Sequence, residues 1–400
     1  MWRPRLLILQ PTPYCNINCE YCYLRSRNDR RHMPRAVIDA IAEKIVSKIS
    51  PDAAPTIVWH AGEPTVVPLK WYEYAHPRLR AAAPQGATFS IQSNGIAISD
   101  EWLNFLRDTG TRIGLSIDGP ERFHDARRKT RSGRGTWSLV MNSLRRLQSS
   151  GFDPSVISVL HPQCLVAADQ FYEFYRDNQI TQVSFSIDEA EGANSTSSFD
   201  RHDYKAEMVH FLYQILSRAF TEKYPLHIRE IERISRALAG QDDVRNEQVQ
   251  AWQAVVVSAS GDVTSFSPEF MELNSPPHNN FCFGNILEDE FEDLIQGKLV
   301  KAVQAEIRRG VDICRASCRY FEACGGGAPS NKLSENRSLA SGETSFCRLS
   351  IQTAADALIQ FLSDQIRDSP ERGSGLGPGL HVDTHALFTS PLSSGTVQRA

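Results

Sequence analysis

Short apolar runs alternate with helix-period stretches through the first half of the chain, the rhythm of βα units around a parallel sheet. The runs predict strands at Leu6–Leu9, Thr56–His60, Thr88–Gln92, Thr111–Ile117, Val156–Leu160 and Gln182–Ile187. The stretches between them predict helices over Arg35–Ile49, Leu69–Ala83, Asp100–Thr109, Thr136–Ser149 and Ala167–Asn178. Six repeats fall short of the eight of a closed barrel, which takes about 250 residues. The expected fold class is therefore α/β: an open, partial (βα)6 barrel, its strand C-termini facing a wide mouth. From Asp200 to Gly240 the pattern turns helical and amphipathic, as in Tyr204–Phe220 and Ile228–Leu238, a bridge to a second domain. Ala254–Ser258 and Gly261–Val263 predict a hairpin, and a cysteine- and glycine-rich stretch runs from Cys314 to Cys347. After about Asp364 the chain is rich in Ser, Gly and Pro, which predicts a disordered tail. The expected units are a barrel over 1–199, a bridge over 200–250, a small cysteine-rich domain over 251–363 and a tail over 364–400.

Composition narrows the setting. A hydrophobic fraction of 41% in 400 residues allows a sizeable core. A net charge of −4 argues against a general nucleic-acid or membrane surface. No apolar stretch approaches the roughly 18 residues of a membrane-crossing helix, and Met1–Arg5 lacks the apolar region of a signal peptide. Nine cysteines in clustered spacings point to metal ligation in a reducing cytoplasm rather than to disulfides.

Directly after the first strand lie Cys15, Cys19 and Cys22, spaced C-x3-C-x2-C. Three thiolates leave one iron of a [4Fe–4S] cluster open, since the usual complement is four cysteines. Buried structural thiols, or a zinc site short of one ligand, are the alternatives. With an aromatic, Tyr21, just before the third cysteine, the spacing resembles the fingerprint of the radical S-adenosylmethionine (SAM) enzymes. Ala61-Gly62-Glu63-Pro64 closes the second strand and resembles the motif that holds the SAM amino group in that superfamily, with alanine in its first position. Glycine lets backbone approach a ligand closely, and a carboxylate can accept from an ammonium group. By the same resemblance Tyr21 would lie against the adenine, and Gln92-Ser93-Asn94-Gly95 resembles a cofactor-binding turn, which puts Asn94 at the site.

Ser116-Ile117-Asp118-Gly119-Pro120, followed by His124–Arg128 and Gly133–Gly135, looks like the corresponding passage of the anaerobic sulfatase-maturating enzymes. Carried over by position, Ser116 and Arg128 would touch SAM; a solvated arginine in a basic loop is the plain alternative for Arg128. A second constellation holds Cys314, Cys318, Cys324 and Cys347. Four thiolates complete a saturated cluster or a structural zinc, and spacing alone leaves both open. Cys318–Gly327 resembles the SPASM domain that follows many peptide-modifying radical SAM barrels, which implies one auxiliary [4Fe–4S] cluster. The departures matter: Ala328 occupies the fourth core position, and Phe266 stands where relatives place a ligand of a second auxiliary cluster. Cys164 and Cys282 read as ordinary small buried residues.

Taken together, Leu7–Leu24, Trp59–Pro64, Asp188–Asn194 and Cys324–Lys332 resemble the GrrM/OscB radical SAM/SPASM maturases. That resemblance implies modification of a ribosomally made precursor peptide, forming a cyclophane between an aromatic ring carbon and a side-chain Cβ. It also implies a reductant such as flavodoxin or ferredoxin. Asp188 and Glu189, at the end of the sixth strand, are candidate catalytic acids or bases; a solvated loop is the alternative. No domain precedes the first strand, so leader binding is expected from the bridge, the SPASM region or a separate protein. Rival readings are formylglycine formation, as in sulfatase maturation, and a non-catalytic iron–sulfur electron carrier. The first is disfavoured by Phe266 and Ser267 at the hairpin, the second by the purpose it leaves unexplained for Gly62, Glu63, Ser116 and Arg128.

Overall fold

The computed structural model describes residues 2–240 and 246–367. Its strands are β1 (Leu6–Leu9), β2 (Ile17–Cys19), β3 (Thr56–Trp59), β4 (Thr88–Ser93), β5 (Arg112–Ser116) and β6 (Arg128–Thr130). They continue with β7 (Ser155–Leu160), β8 (Gln182–Ile187), β9 (His227–Ile228), β10 (Ala254–Val257), β11 (Asp262–Ser265) and β12 (Gly284–Asn285). One sheet runs β12-β11-β10-β1-β3-β4-β5-β7-β8-β9, and β2 pairs with β6 as a separate antiparallel ribbon. The six predicted barrel strands all form, each within about two residues of its expected span.

Parallel pairing from β10 to β9 brings the strand C-termini to one rim. Alternate residues of β4 and β7 are buried, and Leu7, Leu9, Ile57, Trp59, Phe89, Ile91 and Leu115 join one core. Helices cover the outer face because their apolar stripes fit it. Asp100–Thr109 shows the local logic: Ser99 caps its start by accepting from the Trp102 N–H at 3.4 Å, and Gly110 at φ 63° ends it. The helix expected over Arg35–Ile49 is one rod, wound wide at Ile41–Ile45 and tight at Val46–Lys48. The rewinding leaves Val37, Ile38, Ile41, Ile45 and Val46 fully buried.

The hairpin β10–β11 forms as expected, and β10 lies parallel against β1, pairing Leu6 with Ala254 and Leu9 with Val257. The barrel sheet and the C-terminal region are thus one hydrogen-bonded sheet. Lys205–Thr221 packs against Ala168–Asp177 and against the last helix, Thr353–Arg367. That last helix occupies 364–367, the first residues of the expected tail; 368–400 lie outside the described residues. Among the described residues no helix is long and apolar enough to cross a membrane.

Candidate active site

The loop after β1 carries Cys15, Cys19 and Cys22, all partly exposed. It is held from both sides. The Arg131 guanidinium donates to Cys15 O at 2.5 Å and Arg27 O at 2.6 Å, while Arg27 donates to Cys19 O at 3.0 Å. The ribbon sets Cys19 opposite Arg128.

Beneath the loop, Ala61 and Gly62 turn the chain through φ 67° and 55°. A Cβ on Gly62 would stand 2.5 Å from both Thr12 O and Tyr14 O, so only glycine fits. Glu63, 1% exposed, then points inward. Its Oε1 accepts from Thr65 N (2.9 Å), Thr65 Oγ1 (2.6 Å) and Ser93 Oγ (2.8 Å). Its Oε2 accepts from Asn94 N at 2.7 Å, leaving acceptor capacity on that oxygen. The Asn94 amide donates to Asn16 Oδ1 at 2.8 Å and lies 3.7 Å from Cys15 Sγ. Glu63, Asn94 and Cys15 therefore form one connected unit. Burial raises the Glu63 carboxyl above its usual range, and burial, then the charge of Glu63, pushes the Cys15 thiol up to about 12.

Tyr21, Asp118 and Arg128 form a second unit. Arg128 Nη1 donates to the Tyr21 hydroxyl at 2.5 Å, which donates to Asp118 Oδ2 at 2.6 Å. The Arg128 and Asp118 side chains are 8% and 2% exposed and 3.7 Å apart. The Tyr21 hydroxyl is committed to this network, and the expected placing of its ring and backbone edge against adenine is untouched by that. Arg128 is a buried ion-pair member, which removes the solvated-loop alternative. Asp118 N–H donates to His124 Nδ1 at 3.1 Å. His124 is neutral through burial, so its proton sits on Nε2, facing Thr136 Oγ1 at 3.0 Å, and Thr136 donates to Arg128 O at 3.0 Å. Ser116 joins neither unit directly; its Oγ accepts from Gln92 at 3.1 Å.

Asp188 and Glu189 differ sharply. Asp188, 2% exposed, is fully engaged: Arg127 (2.7 Å), Ser198 N (3.1 Å) and Ser198 Oγ (2.8 Å) all donate to it. Glu189 accepts from the Asn331 amide, and burial with nearby negative charge pushes its carboxyl up to about 8. Gly192, at φ 59°, abuts the cysteine loop: a Cβ there would meet Tyr23 O at 2.3 Å, and Ala193 N donates to that oxygen at 2.7 Å.

The four C-terminal cysteines lie on three segments, with Cys324 near Cys314 and Cys347 near Cys324. Cys314 sits in the last turn of Lys298–Ser317, Cys318 caps that helix, Cys324 closes Phe321–Cys324 and Cys347 opens the turn Cys347–Gln352. Their sulfurs attract donors: Lys332 Nζ to Cys314 (3.4 Å), Gly327 N to Cys324 (3.1 Å) and Thr344 N to Cys347 (3.3 Å). Lys332 is 3% exposed, and a buried ammonium directed at sulfur calls for thiolate charge. Among the described residues no three His, Cys, Asp or Glu side chains are closed around one point as a metal ion would hold them. The donor chemistry nonetheless fits iron–sulfur ligation, in which N–H groups aimed at thiolates tune a cluster. Cys164 is fully buried as expected, whereas Cys282 is half-buried and lines a cavity of about 420 Å³ with Gln10, Ser258 and Thr264. Phe266, at φ 75°, is sealed against Phe270 and Phe283 and offers no ligand.

The sequence profile of the Radical SAM superfamily matches residues 9–174. An uncharacterised protein of Synechocystis sp. is 33% identical over 368 residues, 90% of this chain and 92% of that protein. The chain belongs to the radical SAM superfamily. Radical SAM enzymes use SAM and a [4Fe–4S] cluster with an open iron, and these are its cofactors; one auxiliary [4Fe–4S] cluster is consistent with the fold. A serine-type anaerobic sulfatase-maturating enzyme of Bacteroides thetaiotaomicron is 31% identical over 192 residues, 46% of each chain. This radical SAM chain therefore matches under half the length of that enzyme. Among solved structures, anSMEcpe with bound AdoMet and the Cp18Cys peptide superposes with TM-score 0.73 at 18% identity, over 92% of this chain and 99% of that one. SuiB of Streptococcus suis bound to its precursor peptide SuiA gives 0.63 at 14% identity, over 87% and 76%. At these identities the likeness establishes the fold, a radical SAM barrel with a SPASM-like C-terminal region.

Sequence reasoning did not assign Asp118, although it lies inside the Ser116–Pro120 motif. Glu191 likewise lies inside a noted segment. Glu269 carried no local signal, because its neighbours come from elements distant in sequence.

Proposed function

We propose that the protein is a radical SAM maturase that modifies a ribosomally made precursor peptide, joining an aromatic ring carbon to a side-chain Cβ as a cyclophane. The observation that carries this reading is one contact: Gly192, in the acidic segment after β8, lies against Tyr23 beside Cys22. Candidate cofactor ligands and a candidate substrate wall thus meet at the barrel rim. Bound SAM and a reduced [4Fe–4S] cluster supply homolytic cleavage and hydrogen abstraction from carbon.

The chain's own residues take the remaining roles. Cys15, Cys19 and Cys22 would hold the first cluster, and Cys314, Cys318, Cys324 and Cys347 the auxiliary one, the acceptor of the electron released together with the ring proton when the ring rearomatises. Glu63 Oε2 receives the SAM ammonium, with Gly62 and Asn94 shaping that pocket. Ser116 and the Tyr21–Arg128 pair border the rest of the cofactor. Asp188 orients the rim through Arg127, and Glu189 is suited to take the ring proton, its carboxyl held near neutrality where both forms are populated. The electron comes from a small carrier such as flavodoxin or ferredoxin.

Formylglycine formation is the second reading, favoured by the 31% identity to the Bacteroides enzyme. It is weakened by the sealed side chain of Phe266. Anaerobic reduction of the reconstituted protein with SAM should yield 5′-deoxyadenosine, and a co-expressed precursor peptide should lose two hydrogen atoms. A product that reacts with a hydrazide probe would favour formylglycine, and no SAM cleavage would refute both readings.

A further inference from the structure

Where the segment after β8 meets the turn Pro268–Glu272 and the helix Pro329–Asn336, three glutamates converge. Glu189 senses the charges of Glu269, Glu335 and Asp188; Glu191 senses Glu189, Glu269 and Glu335. All of these are acidic groups, and burial raises the Glu189, Glu191 and Glu269 carboxyls above their usual range, so a cation brought among them would favour their charged forms. Two neighbouring guanidinium groups are engaged elsewhere, Arg127 with Asp188 at 2.7 Å and Arg25 with the Glu272 and Gly192 carbonyl oxygens at 2.9 and 2.7 Å. Two carboxylate oxygens, Glu191 Oε1 and Glu269 Oε2, are buried with no hydrogen-bond partner, and Glu191 is only 5% exposed.

Two neutral groups complete the picture. The Tyr23 hydroxyl, beside Glu269 and Glu191, is sealed and unpartnered. Ser267 Oγ, 1% exposed, lies next to Glu269 without reaching hydrogen-bond geometry. Unpaired buried oxygens of this kind cost stability unless a guest supplies donors. Among the described residues the carboxylates are not spaced to close on a metal ion. They instead suit a guest with several N–H donors and a positive charge: an ammonium or a guanidinium. Glu269 also lines a cavity of about 560 Å³ shared with Cys324 and Cys347, while Arg229, Arg233 and Arg236 stand on that cavity's wall and Arg229 pairs with Glu230 at 3.1 Å. Of the three glutamates Glu269 lines this space, on the same wall system as Cys324 and Cys347.

We propose that this chamber binds a lysine or arginine side chain of the peptide substrate and thereby fixes which neighbouring residue faces the Cys15–Cys22 loop. The proposal rests on the maturase reading and names its substrate class. The test compares acetyl-Gly-Lys-Gly-amide with its norleucine counterpart, of nearly equal size but uncharged, by calorimetry on the reconstituted, SAM-loaded protein. The lysine peptide is expected to bind roughly ten- to hundredfold more tightly. Glu191→Gln combined with Glu269→Gln should shrink that preference to within about twofold, whereas Glu269→Asp, which keeps the charge, should retain part of it. Equal binding of the two peptides, or none by either, overturns the proposal on the parent protein alone, whatever the variants do. n-Butylamine binding as tightly as the lysine peptide overturns it in favour of a free-amine site. A parent that cleaves no SAM refutes the maturase reading; one that cleaves SAM but ignores charge refutes only the chamber.

Discussion

Glu63→Gln exchanges a carboxylate oxygen for an amide NH2 in a place where the neighbours donate. Thr65 N, Thr65 Oγ1 and Ser93 Oγ face one oxygen, and Asn94 N faces the other. If the new amide nitrogen takes the Oε2 position, it confronts the Asn94 N–H at 2.7 Å; if it takes the Oε1 position, it confronts the Thr65 N–H at 2.9 Å. Either way one buried backbone donor loses its acceptor, which costs about 1–3 kcal/mol of folding stability. The lost negative charge acts separately. An ammonium–carboxylate contact is worth about 1.5–3 kcal/mol, so SAM affinity should fall roughly ten- to hundredfold. The two effects are read apart by urea unfolding of the protein without SAM and by calorimetric titration with SAM at a temperature where the variant stays folded. A variant as stable as the parent, with unchanged SAM affinity, would refute both the hydrogen-bond reading and the placing of SAM at this carboxylate.

Replacing Cys15, Cys19 and Cys22 together by Ala should abolish SAM cleavage while leaving about four irons on the distal quartet, against about eight in the parent; an iron-free variant contradicts the two-cluster assignment. Cys324→Ala should still permit uncoupled SAM cleavage but lose peptide crosslinking, and one equivalent of zinc with only about four irons in the parent would instead make the quartet a structural zinc site. Gly192→Ala forces a Cβ to within 2.3 Å of Tyr23 O at φ 59°, so a loss of about 2–4 kcal/mol is expected from the left-handed backbone and the displaced hydrogen bond; wild-type stability in denaturant would show that this segment does not rest on the cysteine loop. Glu189 is held up to about 8 in the fold against 4.5 ordinarily, so the folded protein keeps a proton that the unfolded chain releases. Its stabilising effect is full below about 4.5 and is lost as pH rises to about 8. Unfolding midpoints at several pH values should therefore slope downward in the parent and less steeply in Glu189→Gln, the remaining slope coming from Glu191 and Glu269, which burial raises in the same direction, and identical slopes would remove Glu189 from that role.

Much of this molecule is legible in order along the chain because its signals are local. The apolar runs at Leu6–Leu9 and Gln182–Ile187 are strands at those residues, and the Cys15–Cys22 spacing, the Glu63 turn and the Asn94 turn meet as one hydrogen-bonded unit. What stayed hidden depends on partners far apart in sequence. The ribbon β2–β6 is three residues to a strand, too short for a period-two signal, and joins Cys19 to Arg128 only in the folded state. The commitment of the Tyr21 hydroxyl, and the role of Asp118 in receiving it, follow from that juxtaposition. Glu269 reads as an ordinary surface acid until the Pro268–Glu272 turn places it under Glu189 and Glu191.

The pairing of β1 with β10 has a consequence for how the chain is made. Leu6–Leu9 leaves the ribosome well ahead of one of its two sheet neighbours, Ala254–Val257, which follows roughly 250 residues later. At the usual pace of synthesis, about 5–20 residues per second, one edge of the first strand waits on the order of ten to fifty seconds for its partner. Throughout that interval it presents unpaired N–H and C=O groups, a template for other nascent chains. The cysteine loop hangs directly from this strand, and its contact from Arg25 to Glu272 also waits for the later residues. A chain that stalls before Ala254 would carry an open strand edge directly ahead of Cys15, Cys19 and Cys22.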